Sequence, residues 1–196
     1  MDVSRETEER LKAYVALLEK WSARINLVGR STLSEIWTRH IMDSRQVFEA
    51  GPHHGHWADL GTGAGLPGLV IAILAAEEAP DMRITLVESD RRKAEFCRAV
   101  IREIELTATV ISERIESTQP LNADIVCARA LAPLDVLLTY ADRHLKSGGL
   151  ALFPKGAGHQ AEILAAQKKW RFSLETVKSS TQSGAVLLKI GEIQRV

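Results

Sequence analysis

The run Asp59-Leu60-Gly61-Thr62-Gly63-Ala64-Gly65-Leu66-Pro67-Gly68 gathers glycines behind a single carboxylate. Glycine at this density lets a backbone turn sharply and approach a ligand closely. Read from Gly63, the run also satisfies Gly-x-Gly-x-x-Gly, the pattern of dinucleotide sites, and a tight turn without a ligand would use the same residues. Asp59 separates the ligand chemistries. A dinucleotide seats its doubly charged pyrophosphate at a helix N-terminus, and a carboxylate just ahead of the first glycine would oppose it. S-adenosylmethionine has no phosphate; its ammonium and sulfonium are favoured by a nearby carboxylate. An acidic residue followed by Gly-x-Gly-x-Gly therefore points to the methyl donor. Glu88, after Leu86-Val87, is placed to bond both hydroxyls of a ribose, or else is a solvated strand-end carboxylate.

Other reactive residue types carry less. Cys127 near a strand end invites comparison with a cysteine nucleophile, but it lacks a preceding proline and reads as a small buried residue, as does Cys97. His53, His54 and His56 sit in a Gly/Pro-rich stretch without cysteine or carboxylate partners, a poor metal cage, and read as an exposed turn. His40 and Asp43 are spaced to pair on one helix face. Asp90-Arg91-Arg92-Lys93 is either a solvated first helical turn or an RNA contact.

These residues need elements to position them. Leu11, Tyr14, Leu18, Trp21 and Ile25 form one stripe of an amphipathic helix. Thr32-Leu33-Ser34-Glu35 has the capping-box form and begins a second helix that reaches Glu49. After the turn-rich Gly51–Gly55, strands are expected at 57–60, 83–87, 108–111, 125–128 and 149–153. Helices are expected at 69–79, 91–104, 134–145 and 159–169, and two strands at 172–177 and 185–190 close the chain. This alternation predicts an α/β, Rossmann-like, mostly parallel seven-stranded sheet with an antiparallel C-terminal edge strand. Residues 1–50 form a helical extension and 51–196 the main domain. The run Leu69-Val70-Ile71-Ala72-Ile73-Leu74 is apolar on every side, so it must be covered by the sheet on one flank and by the N-terminal helix on part of the other.

Composition limits the partners. Across 196 residues, 25 Lys+Arg balance 25 Asp+Glu, which excludes gripping nucleic acid or membrane by bulk charge but leaves room for a local basic patch. Two cysteines make no disulfide framework. The charged N-terminus lacks a signal-peptide core, and the longest apolar run, Leu69 to Ala76, falls short of a membrane span. A cytoplasmic protein that uses no membrane and no metal is expected.

The chain resembles the RsmG (GidB) family of bacterial 16S ribosomal RNA guanine-N7 methyltransferases. The resemblance runs through nearly the whole chain. It rests on Trp21 with Asn26-Leu27, Arg39-His40-Ile41-Met42-Asp43-Ser44, the glycine loop continuing to Leu69, and Leu86-Val87-Glu88-Ser89. Arg129-Ala130-Leu131-Ala132-Pro133-Leu134 and Pro154-Lys155-Gly156 complete it. It implies the class I methyltransferase fold, with S-adenosylmethionine as cofactor. By position, Gly61, Gly63 and Leu66 of the loop, Glu88, the adenine-side pair Ile115 and Glu116, and Arg129 at the methionine end would contact the donor. On the residues alone, Ile115 would read as core and Arg129 as a surface ion pair.

Guanine N7 carries an in-plane lone pair and no proton, so the implied reaction needs no general base, and none is assigned. Arg24, Arg39, His40 and Lys155 are the candidates to meet RNA, with Lys155 at the pocket mouth. Between Lys20 and Phe48 the basic residues outnumber the acidic, which solvated helix faces would equally explain. The expected partner is 16S rRNA or a small-subunit particle, and the protein is expected to be a monomer. N7 lies in the major groove, which side chains cannot enter in A-form RNA, so the target guanine must be looped or unstacked. The alternatives are an NAD-dependent oxidoreductase and a non-catalytic RNA-binding module on the same fold.

Overall fold

The computed structural model describes residues 2–29 and 35–196. Helix α1 (Arg5–Ser22) starts where the Ser4 hydroxyl accepts from the Thr7 N–H, with Glu6 and Glu8 in its first turn and Lys20 in its last. This arrangement complements the helix dipole at both ends. Leu11, Tyr14 and Leu18 of the expected stripe are fully buried. The helix stops at Ser22, so Ile25 follows in a turn and is only half-buried, as is Trp21.

The start of the second expected helix, Thr32-Leu33-Ser34, lies outside the described residues. From Trp37 to Met42 the chain forms a π-helical turn, and only Asp43–Ala50 (α2) is α-helical. The wide turn was not anticipated; such bulges favour functional positions, and this one carries His40.

The sheet contains β1 (His56–Leu60), β2 (Arg83–Val87), β3 (Thr109–Ile111), β4 (Ala123–Cys127), β5 (Leu145–Lys155), β6 (Trp170–Lys178) and β7 (Val186–Arg195). Their order is β3-β2-β1-β4-β5-β7-β6. The first five are parallel, and β7 runs antiparallel between β5 and β6. The antiparallel strand is thus the last in sequence, as expected, but it lies one place in from the edge, which is β6. The two chain-end strands form a hairpin, and the later strand, richer in buried apolar residues, takes the inner position.

One face of the sheet carries α3 (Gly68–Glu78) and α4 (Arg91–Glu103), and the other carries α5 (Leu134–His144) and α6 (His159–Ala166). Every residue of α3 from Gly68 to Ala75 is buried. The sheet covers one flank and both α1 and α2 cover the other, so the N-terminal helices join the core rather than decorate it. Tyr14 and Trp21 pack on Phe96 of α4 with ring centroids 6.4 and 5.6 Å apart. No helix among the described residues is long and apolar enough to cross a membrane.

Candidate active site: a donor pocket and a second pocket joined at Arg129

Strands β1 and β4 are neighbours whose following loops diverge to opposite sides, the topological switch point where open α/β sheets bind ligands. The glycine loop leaves β1 there. Asp59, at the end of the strand, turns beneath the loop: its Oδ2 accepts from the Gly68 N–H at 2.8 Å and from the Thr62 hydroxyl. Gly68 must be glycine for this approach, since a Cβ would lie 2.1 Å from Leu86 Cδ2 and 2.7 Å from the carboxylate. Gly61 has φ of +67°, and its Cβ would meet Leu131 at 2.6 Å.

Asp59 is buried and does not line the pocket, so its part differs from the sequence-based reading. It does not present charge to a bound cation; it fixes the loop and the N-terminus of α3. Burial pushes its pKa up to about 6, against the bonds from Thr62 and Gly68. Between about pH 4 and pH 6 this group therefore keeps in the folded protein a proton that it loses in the unfolded chain. The contribution of this group to stability is full at the acid end and is lost as the pH rises through 6. Asp59→Asn, which keeps an acceptor for Gly68 and Thr62, should flatten this part of the stability profile in denaturant titrations; an unchanged profile would contradict the assignment.

Above the loop lies a pocket of about 400 Å³, in the size range of cofactor sites. Gly61, Gly63, Leu66, Glu88, Ile115, Glu116 and Arg129 all line it. Glu88 is nearly buried; its Oε2 accepts from the Gly63 N–H at 2.8 Å and its Oε1 from the Asp90 N–H at 2.7 Å. A carboxylate oxygen has two lone pairs, so both keep capacity for hydroxyl donors. Ile115 is buried in the wall. Glu116 accepts from the Tyr140 hydroxyl at 2.7 Å, which holds its carboxyl below the usual range.

Arg129 follows β4 and forms the partition to a second pocket of about 780 Å³; Arg129, Ala130 and Leu131 line both. Ala130 has φ of +50°, a strained conformation for a residue with a Cβ. Nη1 of Arg129 donates to His40 Nδ1 at 2.8 Å and to the Arg39 carbonyl at 3.2 Å. His40 must therefore be neutral at Nδ1, and burial together with Arg129 and Arg39 lowers its pKa to about 4.

Three of the four candidate RNA contacts, Arg39, His40 and Lys155, line the second pocket. His40 faces Arg129, and the expected His40–Asp43 pairing does not form, because Asp43 instead accepts from the Thr181 hydroxyl. Lys155 is an internal brace: its ammonium donates to the Ala132 carbonyl at 2.8 Å and to Glu162 at 2.7 Å. Arg24 lies apart, beside a separate groove. Cys127 is buried and lines neither pocket, and desolvation, with Asp59 beside it, pushes its thiol well above the usual range, as suits a small core residue. The His53–His56 stretch is not wholly an exposed turn: His56 is buried with Nε2 2.8 Å from the Thr85 hydroxyl, and His53 stacks on Phe48 with centroids 4.1 Å apart. Among the described residues no cluster could hold a metal ion.

The model of the family described as rRNA small subunit methyltransferase G (GidB) matches residues 7–188. The chain belongs to that family. A Ruegeria sp. (strain TM1040) protein named ribosomal RNA small subunit methyltransferase G is 53% identical over all of this chain and 96% of its own length. Among solved structures, a Geobacter sulfurreducens methyltransferase aligns with TM-score 0.57 at 15% identity, covering 96% of each chain. A mutant of MtNAS in complex with S-adenosylmethionine aligns with TM-score 0.62 at 16% identity, over 94% of this chain and 75% of that one. At these identities the structures establish the shared fold, and membership of the methyltransferase G family rests on the sequence matches.

Several residues that line the first pocket were not expected there from the sequence. Leu27 and Val28, just after α1, and Tyr140 of α5 line it. Tyr14, read as core, donates its hydroxyl to the Ala64 carbonyl at 2.8 Å and so ties α1 to the glycine loop. The signal was present: a tyrosine on a fully apolar stripe needs a partner for its hydroxyl when buried. Tyr14→Phe should leave that carbonyl unsatisfied, destabilise the protein by about 1–3 kcal/mol, and weaken donor binding. Unchanged denaturation midpoint and donor affinity would show that the bond is dispensable.

Proposed function

We propose that this enzyme, an S-adenosylmethionine-dependent methyltransferase of small-subunit ribosomal RNA, places the methyl group on N7 of a guanine in 16S rRNA. The observation that supports this best is the shared wall: a cofactor-sized pocket and a second pocket large enough for a base are both lined by Arg129-Ala130-Leu131. The residues fit the donor. Glu88 retains acceptors for two ribose hydroxyls, Ile115 offers an apolar face to adenine, and Glu116 or its backbone reaches the ring edge. Around Gly63 a Cβ would meet nothing nearer than 3.9 Å, which leaves room for close approach. Arg129 supplies a cation for the methionine carboxylate, while His40 fixes its direction.

When bound, the donor supplies an electrophilic methyl on its sulfonium. Guanine N7 attacks with its own lone pair, so the protein need not remove a proton. The task of the side chains is to align the reacting atoms at ~3–3.5 Å and to exclude water. In this reading residues 51–196 form the methyltransferase domain and residues 1–50 cover it, bringing Arg39 and His40 to the acceptor side. The enzyme works as a cytoplasmic monomer on rRNA or a small-subunit particle, without metal or membrane. Labelled methyl transfer to rRNA from cells lacking the activity, with mapping of the product, tests the reading. A single guanine labelled at N7 is expected; label at another atom would overturn the acceptor assignment.

A further inference from the structure

Away from the second pocket, Lys20 and Trp21 at the end of α1 and Arg24 and Ile25 in the turn after it face Arg91, Arg92 and Glu95 of α4 across a groove of about 360 Å³. Its floor is apolar. Trp21 stands edge-on to Phe96 and is half-buried, leaving part of its indole in the groove. Its rim is basic. Arg92 pairs with Asp90 at 3.6 Å, and Glu95 is engaged by Arg98 at 3.7 Å. Lys20, Arg24 and Arg91 are exposed and have no carboxylate within ion-pair distance among the described residues.

Folding does not account for this charge. Arg91, Arg92 and Lys93 occupy the first turn of α4, where the helix dipole is positive and like charges repel. In a chain whose net charge is zero, Lys20, Arg24 and Arg91 gather around the part of the half-buried Trp21 indole that faces the groove, a combination that suits an anionic, aromatic ligand. The groove and the donor pocket draw on the same two stretches of chain: Ile25 lines the groove and Leu27 the pocket, and Arg92 lines the groove and Lys93 the pocket.

We infer that this groove is a second RNA-docking site, holding a single-stranded stretch of the rRNA substrate beside the donor pocket. Lys20, Arg24 and Arg91 contact its phosphates, and one unpaired base stacks on Trp21. Cations paired with an aromatic platform are the general means of binding single-stranded nucleic acid. The inference rests on the proposed rRNA substrate and extends it to a surface remote from the acceptor pocket.

The test uses the full chain, an unmodified 16S rRNA transcript, and small-subunit particles from cells lacking the activity. Arg24→Glu combined with Arg91→Glu should weaken transcript binding about tenfold or more and lower the salt dependence of log Kd by about two, one per lost phosphate contact. Adenosylhomocysteine affinity should be unchanged, which also reports that the fold is intact. Trp21→Leu should cost several-fold in transcript affinity with the salt slope preserved. Wild-type affinity and slope in the double variant would overturn the inference. So would loss of particle binding with transcript binding retained, since the occupant would then be a ribosomal protein. Failure of the unaltered protein to bind or methylate either RNA substrate would instead overturn the proposed function on which the inference rests.

Discussion

Replacing Arg129 by alanine is expected to weaken adenosylhomocysteine binding about 100-fold, about 3 kcal/mol, and to reduce methyl transfer at least as much. The guanidinium is half-buried and aimed by two acceptors, His40 Nδ1 and the Arg39 carbonyl. Desolvation lowers its pKa, while Asp43 and Asp59 offset part of that cost, and an anion at the site would offset more. Arg129 also stands in the wall of both pockets, and its loss opens the partition against which donor and acceptor meet. Lysine should recover only part of the affinity, because an ammonium lacks the planar fork that engages His40 and a carboxylate together. Calorimetry with the three forms is sufficient; equal dissociation constants would remove Arg129 from the site.

Glu88→Gln should weaken donor binding by about 2–3 kcal/mol, roughly 30- to 150-fold. The two oxygens of Glu88 each accept a backbone N–H, from Gly63 and Asp90. An amide has one acceptor oxygen, so one of those donors faces an NH2 group. Either the glycine loop loses its tie to β2, or the turn that starts α4 is disturbed. The remaining lone pairs for the ribose fall as well. A merely solvated carboxylate would predict no change in either donor affinity or thermal stability.

Much of this site was legible because its residue types carry their own geometry. Glycines between an apolar strand and an apolar helix specify a backbone that must approach a ligand; Ile115, Glu116 and Arg129 were expected only through the family resemblance, and they line the same pocket as Gly61, Gly63, Leu66 and Glu88. The role of Asp59 was less legible. Pattern places a carboxylate near the loop but does not say which way a strand-end side chain turns, and here it turns under the helix N-terminus. Lys155 shows the same limit, since its brace depends on Glu162, seven residues away on another element. The π-helical turn at Trp37–Met42 left no trace in hydrophobic spacing. It matters because it carries His40, which packs against Arg129 across a long sequence separation. Long-range polar pairs of this kind are decided by packing, not by local propensity.

The most direct test of the central claim is a crystal structure with adenosylhomocysteine. The account predicts its ribose hydroxyls on Glu88, its adenine against Ile115, and its carboxylate at Arg129, with the sulfur facing the second pocket. Electron density for the ligand at any other place, with the crevice above Gly61 and Gly63 left empty, would contradict it.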